Sequence, residues 1–198
     1  MKNSFFLKFL FCLILFISSL SSANGQFVSS SSSVKTKGQD KFIFDLNFGF
    51  GFHPKGDQHG FEVGGELGHL FKSPVFITLG GMYTEWTHYS PKTLYTPKIE
   101  VKNESILIPL NIGYVIGNWE KFNITFGGGV ICNYALSSKI NGESVKIPDS
   151  EKIIWNGDIR FTLGYAGYNV YAHYYKPFDS GDSGVWGIGF LMKLLENL

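Results

Sequence analysis

From residue 42 onward, apolar and polar positions alternate with a period of two. In the first run the even positions Phe42, Phe44, Leu46, Phe48, Phe50 and Phe52 are large and apolar, whereas the odd positions are Ile43, Asp45, Asn47, Gly49 and Gly51, polar or small after the first. Successive side chains of a strand point to opposite faces, so the run predicts a strand with one continuous apolar face. The second run sets Phe61, Val63, Leu67 and Phe71 against Gly60, Glu62, Gly64, Glu66 and Gly68; the third sets Val75, Ile77, Leu79 and Tyr83 against Thr78, Gly80 and Thr84. Five further runs repeat the pattern, led by Ile106 to Tyr114, Phe122 to Tyr134, Ile153 to Tyr165, Tyr168 to Tyr174 and Trp186 to Leu194. The pattern predicts eight strands, most of about 9–11 residues, the length that a tilted strand needs to cross a bilayer.

The predicted connections alternate in length. Residues 53–59, 90–103, 138–151 and 177–183 form long ones, and 72–74, 117–121 and 166–167 form short ones. An up-and-down meander closed on itself gathers all the long connections at one end. Transmembrane barrels of the outer membrane have this asymmetry, with short periplasmic turns and longer outside loops, and an even strand count then leaves both termini periplasmic.

Alternation alone does not separate a membrane barrel from a soluble one, because each has one apolar face. The second face decides between them. It is mostly Gly, Asn and Thr, with central charges at Asp45, Glu62, Glu66, Asp158, Arg160 and Lys193. Such a face suits a crowded interior better than a water-facing exterior. On the apolar face Tyr83, Tyr134, Trp155, Tyr174 and Trp186 fall toward the long loops, and Tyr114, Tyr165 and Tyr168 toward the short turns, with Trp119 in a turn. Two aromatic girdles are therefore expected where strands leave hydrocarbon.

Composition agrees. Of 198 residues, 17 % are charged and 24 are Gly, well below the roughly 25 % charge of ordinary soluble domains. A net charge of +1 leaves no basic footprint for nucleic acid. Residues 1–25 read as a signal peptide, with Lys2 and Lys8 ahead of the apolar run Phe9 to Ile17 and a small-x-small site at Ala23-Asn24-Gly25. Removing them takes the net charge to −1 and leaves Cys132 as the only thiol, so no internal disulfide is available. Residues 26–41 read as a flexible Ser-rich periplasmic lead-in, 42–194 as the barrel and 195–198 as a short tail.

On the stretch Ile106-Leu107-Ile108-Pro109-Leu110-Asn111-Ile112-Gly113-Tyr114, the strand Phe122-Asn123-Ile124-Thr125-Phe126-Gly127-Gly128-Gly129 and Gln26 after the expected cleavage point, the chain resembles the small porin-like outer-membrane β-barrel proteins of Bacteroidetes-type bacteria. The resemblance implies an all-β, eight-stranded antiparallel up-and-down transmembrane β-barrel, small in the manner of OmpA or OmpX, in the outer membrane of a Gram-negative bacterium. It implies no activity. Many outer-membrane barrels end on an aromatic residue, whereas this chain continues Leu195-Glu196-Asn197-Leu198 after its expected last strand.

Candidate chemistry is sparse. His53 and His59 share a loop without tight ligand spacing and no Cys joins them, so solvated loop histidines are the expectation and no metal is expected. His69 has apolar-face parity near the short turns. Asn169, Tyr171, His173 and Tyr175 share the inner face of the seventh predicted strand and read as packed interior. Glu85, His88 and Ser90 are close in sequence, yet Glu85 and His88 have opposite parity, so no Ser/His/acid set forms and no catalytic residue is expected. Gly127-Gly128-Gly129 precedes no helix and is read as close backbone packing rather than a phosphate loop. The residues singled out are Glu62, Glu66, Asp158 and Arg160, expected as a polar cluster in the lumen. Counting from the short-turn ends puts Glu66 and Arg160 at similar depth on opposite walls, within reach of an ion pair.

The expected role is structural or binding, exercised through the extracellular loops of a monomer whose partner is outer-membrane lipid and whose loop ligand is unknown, with no cofactor. A small porin for passive diffusion is the alternative. A soluble lipid-binding barrel is the second.

Overall fold

The computed structural model describes residues 41–53, 58–90, 98–117, 121–166, 168–178 and 184–196. The expected signal peptide, most of the lead-in and Trp119 lie outside them. Nine strands form among the described residues: β1 (Lys41–Phe52), β2 (Gln58–Leu70), β3 (Val75–Tyr89), β4 (Glu100–Gly117), β5 (Phe122–Ile140), a short β6 (Glu143–Val145), β7 (Ile153–Tyr165), β8 (Tyr168–Pro177) and β9 (Val185–Glu196). Consecutive strands pair antiparallel except β6 and β7, β1 closes on β9, and β5 pairs with β4, β6 and β7. The chain is a closed eight-stranded barrel, with β6 added to one projecting end of β5.

The registers set the barrel's geometry. Through paired residues, Phe42 leads to His69, Ile77, Ile112, Gly128, Ile159, Tyr174 and Trp186, and returns to β1 at Phe52, ten residues further on. A stagger of ten over eight strands corresponds to a strand tilt of roughly 40°. Each residue then climbs about 2.5 Å along the barrel axis, so about ten residues cover a 25 Å apolar band.

Strand lengths depart from expectation chiefly at the loop end. β3, β4 and β5 run 15, 18 and 19 residues, against 10 in β8. The expected loop 90–103 therefore yields its last residues to β4, and the expected loop 138–151 is mostly ordered. It contains the end of β5, the tight turn Asn141-Gly142, β6 and a 3-10 turn at Asp149–Glu151. Asn141 (φ 50°) and Gly142 (φ 87°) are both left-handed, which is what a two-residue hairpin turn matching the strand twist requires. The hairpin tip is tied to β4, since Asn141 N–H donates to the Glu100 carbonyl (2.8 Å) and Asn141 Oδ1 accepts from Glu100 N–H (2.9 Å). At the other end β9 runs to Glu196, past the expected boundary at 194, with a bulge opposite Phe44/Asp45.

The two faces separate as the period of two predicts. Phe50 is 75 % exposed and Phe190 64 %, while Asn47 and Thr84 are fully buried. The girdle residues take their expected places on the outside: Trp155, Trp186 and Tyr134 toward the loops, and Tyr114, Tyr165 and Tyr168 toward the turns. Above the loop-side girdle the outer face turns charged. Lys102 Nζ lies 2.7 Å from Glu85 and Lys139 Nζ 3.8 Å from Glu104, pairs that bridge adjacent strands of the projecting ribbon.

Candidate functional site

Four of the expected lumen charges come from two opposite walls. Glu62 and Glu66 are four apart on β2, Asp158 and Arg160 two apart on β7, and both spacings keep a pair on one face of a strand. All four are at most 7 % exposed. The structure brings Glu66 and Arg160 together at 2.5 Å across the lumen, and Asn47 Nδ2 donates to the same Glu66 carboxylate (3.2 Å). The Arg160 guanidinium also lies 5.3 Å from the Tyr171 ring centre. Burying one charge here would be costly, and the opposite charge with its hydrogen bond offsets that cost.

Glu62 and Asp158 do not join that pair directly. They meet at His173 of β8, whose Nε2 is 3.2 Å from Glu62 and Nδ1 3.4 Å from Asp158, all with side chains excluded from solvent. His173 was expected only as packed interior. Its participation has one sequence signal, an inward parity on a strand next to the one carrying Asp158 and Arg160. That signal names a face and not a partner.

Toward the loops the lumen is not the Gly, Asn and Thr face that the sequence suggests. Met82, Trp86, Leu107, Ile131 and Tyr175 point inward and form an apolar cap, joined by Val185. Each is a bulky residue at inward parity, visible in the sequence as an interruption of the alternation. Toward the turns Asp45, Glu66, Asn111, Thr125, Arg160 and Thr162 help to line a cavity of about 30 Å³, the space of a single water. The lumen thus has a polar floor, a charged middle layer and an apolar roof.

The remaining candidates are not assembled. Glu85 faces outward to Lys102, and Ser90 Oγ accepts weakly from Ile99 N–H (3.4 Å), so the Glu85, His88 and Ser90 set does not converge. His59 stacks on Tyr89 (5.7 Å between centres), over which Lys98 Nζ also lies (3.7 Å). His69 stands between the edges of Phe42 and Phe71 on the outer face. Among the described residues no group of three or more His, Cys, Asp or Glu is arranged to hold a metal ion. Asp149 and Lys152 pair at 2.7 Å in the 3-10 turn, and the ammonium holds that exposed carboxyl below its ordinary range. Asn123 lies buried in the lumen near Asn169, and Gly127 and Gly129 allow close approach of β4.

No family model matches the chain, and neither does any curated protein. Solved structures of similar shape include the N-terminal β-barrel domain of Pseudomonas aeruginosa OprF (TM-score 0.47, 15 % identity, covering 79 % of this chain and 99 % of that one). Neisserial surface protein A is another (0.45, 15 %, 78 % and 97 %), and Ail, the attachment invasion locus protein of Yersinia pestis, a third (0.47, 11 %, 79 % and 100 %). At this level of similarity the likeness carries no functional argument. The closed barrel stands on this chain's own strand pairing.

Proposed function

We propose that the protein is a monomeric outer-membrane β-barrel of a Gram-negative bacterium that acts structurally or by binding at its loop end, neither as an enzyme nor as an open pore. The observation that carries this reading is the filled lumen beneath an apolar exterior. Arg160 and Glu66 close the middle, and Met82, Leu107 and Ile131 close the loop side. Eight strands leave an interior that side chains can just fill. The exterior supports the membrane assignment, because a continuous band of exposed Phe, Ile and Leu between two aromatic girdles is unstable in water and at home in lipid. In this reading the termini are periplasmic, and the ribbon of β3 to β6 stands outside the cell, offering its surface to a partner of unknown identity.

Two measurements test the reading. The full-length protein should fractionate with outer membranes and resist extraction by carbonate. Reconstituted in planar bilayers it should show only rare, small openings. Large, steady channels would replace the binding role with passive diffusion, and a protein soluble without detergent would favour a lipid-carrying barrel.

A further inference from the structure

Arg160 and Asn111 bring hydrogen-bonding atoms into the turn-side lumen that no protein group meets. Arg160 gives Nη1 to Glu66, whereas its Nε and Nη2 are buried without a partner. Asn111 is 2 % exposed, and neither its Nδ2 nor its Oδ1 has a partner. Both residues line the cavity of about 30 Å³ described above. Buried polar groups are as a rule hydrogen-bonded, and where protein supplies no partner an ordered water does. We propose that this cavity is a water-binding site, in which one ordered water donates to Asn111 Oδ1 and accepts from the Arg160 guanidinium, linking β4 to the ion pair between β2 and β7.

The sequence makes the space on β5. That strand runs between β4 and β7, and its inward residues here are Gly127, opposite Arg160, and Gly129, opposite Asn111. A methyl group at 129 would overlap Asn111 Oδ1, and one at 127 would press on the Phe76 ring and the Ile112 carbonyl oxygen. Two glycines therefore leave the Asn111 side chain its room and keep the wall thin beneath the guanidinium.

The chemistry of the lining selects water. A cation would face the unmet N–H groups of Arg160. An anion would face the carboxylate of Glu66, which already accepts from Arg160 and Asn47. Asn111 offers one acceptor and one donor group, and only a neutral molecule that both donates and accepts suits it and Arg160 together. An organic solute is excluded by size, since pockets for such ligands run to roughly 300 Å³ or more.

The bound water adds a third wall to the bridge that closes the lumen. Glu66 of β2 and Arg160 of β7 are joined directly, and Asn111 of β4 joins them through the water. This site needs only the closed barrel, so it stands or falls separately from the role of the loops and from the outer-membrane address.

Crystals of the full chain refolded in detergent, grown once with sodium bromide and once with rubidium chloride, test the site. The wild type should show a density peak at about 2.7–3.2 Å from both the Asn111 amide and the Arg160 guanidinium, with no anomalous signal from either salt. Asn111→Leu, close in volume but without polar atoms, should lose the peak and keep the Arg160–Glu66 pair. A wild-type cavity without the peak overturns the proposal. An anomalous peak there overturns it too, by showing an ion in place of water, and so does a peak that stays in place in Asn111→Leu. Should that variant not fold, the wild-type crystals decide alone.

Discussion

Gly129 and Gly81 show how differently the barrel treats the same residue. Gly129 faces inward, paired with Asn111, and an added methyl would overlap the Leu110 carbonyl oxygen, a backbone atom that cannot rotate away. Gly81 faces outward with nothing within 4 Å of an added methyl. Gly129→Ala should therefore cost about 1–3 kcal/mol by overpacking. Gly81→Ala should be neutral or gain a few tenths, since only the unfolded chain loses freedom. Equilibrium unfolding in urea from lipid vesicles measures both. A larger effect is expected at Arg160, whose removal leaves Glu66 buried without its cation. Arg160→Ala should lose roughly 3–5 kcal/mol, and the Arg160→Ala/Glu66→Ala double variant should lose less than the sum of the single losses. Residue parity was legible throughout the chain, and so was the Glu66 and Arg160 pairing, because both could be counted from turn ends. The part played by His173 was not, because its partners depend on which strands become neighbours across a closed ring.

At the scale of elements, depth matters as much as face. Ile124 has outward parity, and its partners Ile116 and Leu163 sit beside the turn-side aromatics Tyr114 and Tyr165. Ile159 is 55 % exposed and lies on β7 between Trp155 and Tyr165, the aromatic residues of the two girdles. Arginine at Ile159 should therefore cost roughly 2–4 kcal/mol and at Ile124 about 1 kcal/mol or less, since the penalty falls toward the interfaces. A conservative Thr125→Ser on the inner face should be mild. Equal losses at Ile124 and Ile159 would show that the depths are misplaced. The β5–β6 hairpin makes a separate prediction. Gly142→Val puts a β-branched side chain at φ 87°, so amide exchange should quicken at Lys139 and Ser144, which pair in the hairpin, while the barrel amides stay protected. The Asn-Gly dipeptide was the available signal for this turn; a loop assignment from length and polarity overlooks it.

For the whole molecule the topological prediction is direct. A protease-sensitive tag at Gly142, on the exposed hairpin tip, should be cut in intact cells, while one in the 117–121 turn should be protected until the outer membrane is opened. The opposite pattern would invert the barrel. Conductance belongs to the same scale. Wild type should be nearly silent in planar bilayers, and Arg160→Ala should raise conductance if it still folds, because it removes the bridge that crosses the charged layer.

The sequence by itself determined which side chains face out and which face in, the number of barrel strands, the end of the barrel that carries the long connections, and the positions of the outward aromatic residues near the two ends. These follow from a period of two and from local turn chemistry, both properties of short stretches of chain. Only the tertiary structure decided the ten-residue stagger, the extension of β3, β4 and β5 into a ribbon, the apolar cap of Met82, Leu107 and Ile131, and the meeting of His173 with Glu62 and Asp158. Each depends on register between strands far apart in sequence. A closed ring settles every register together, because the last strand must pair with the first.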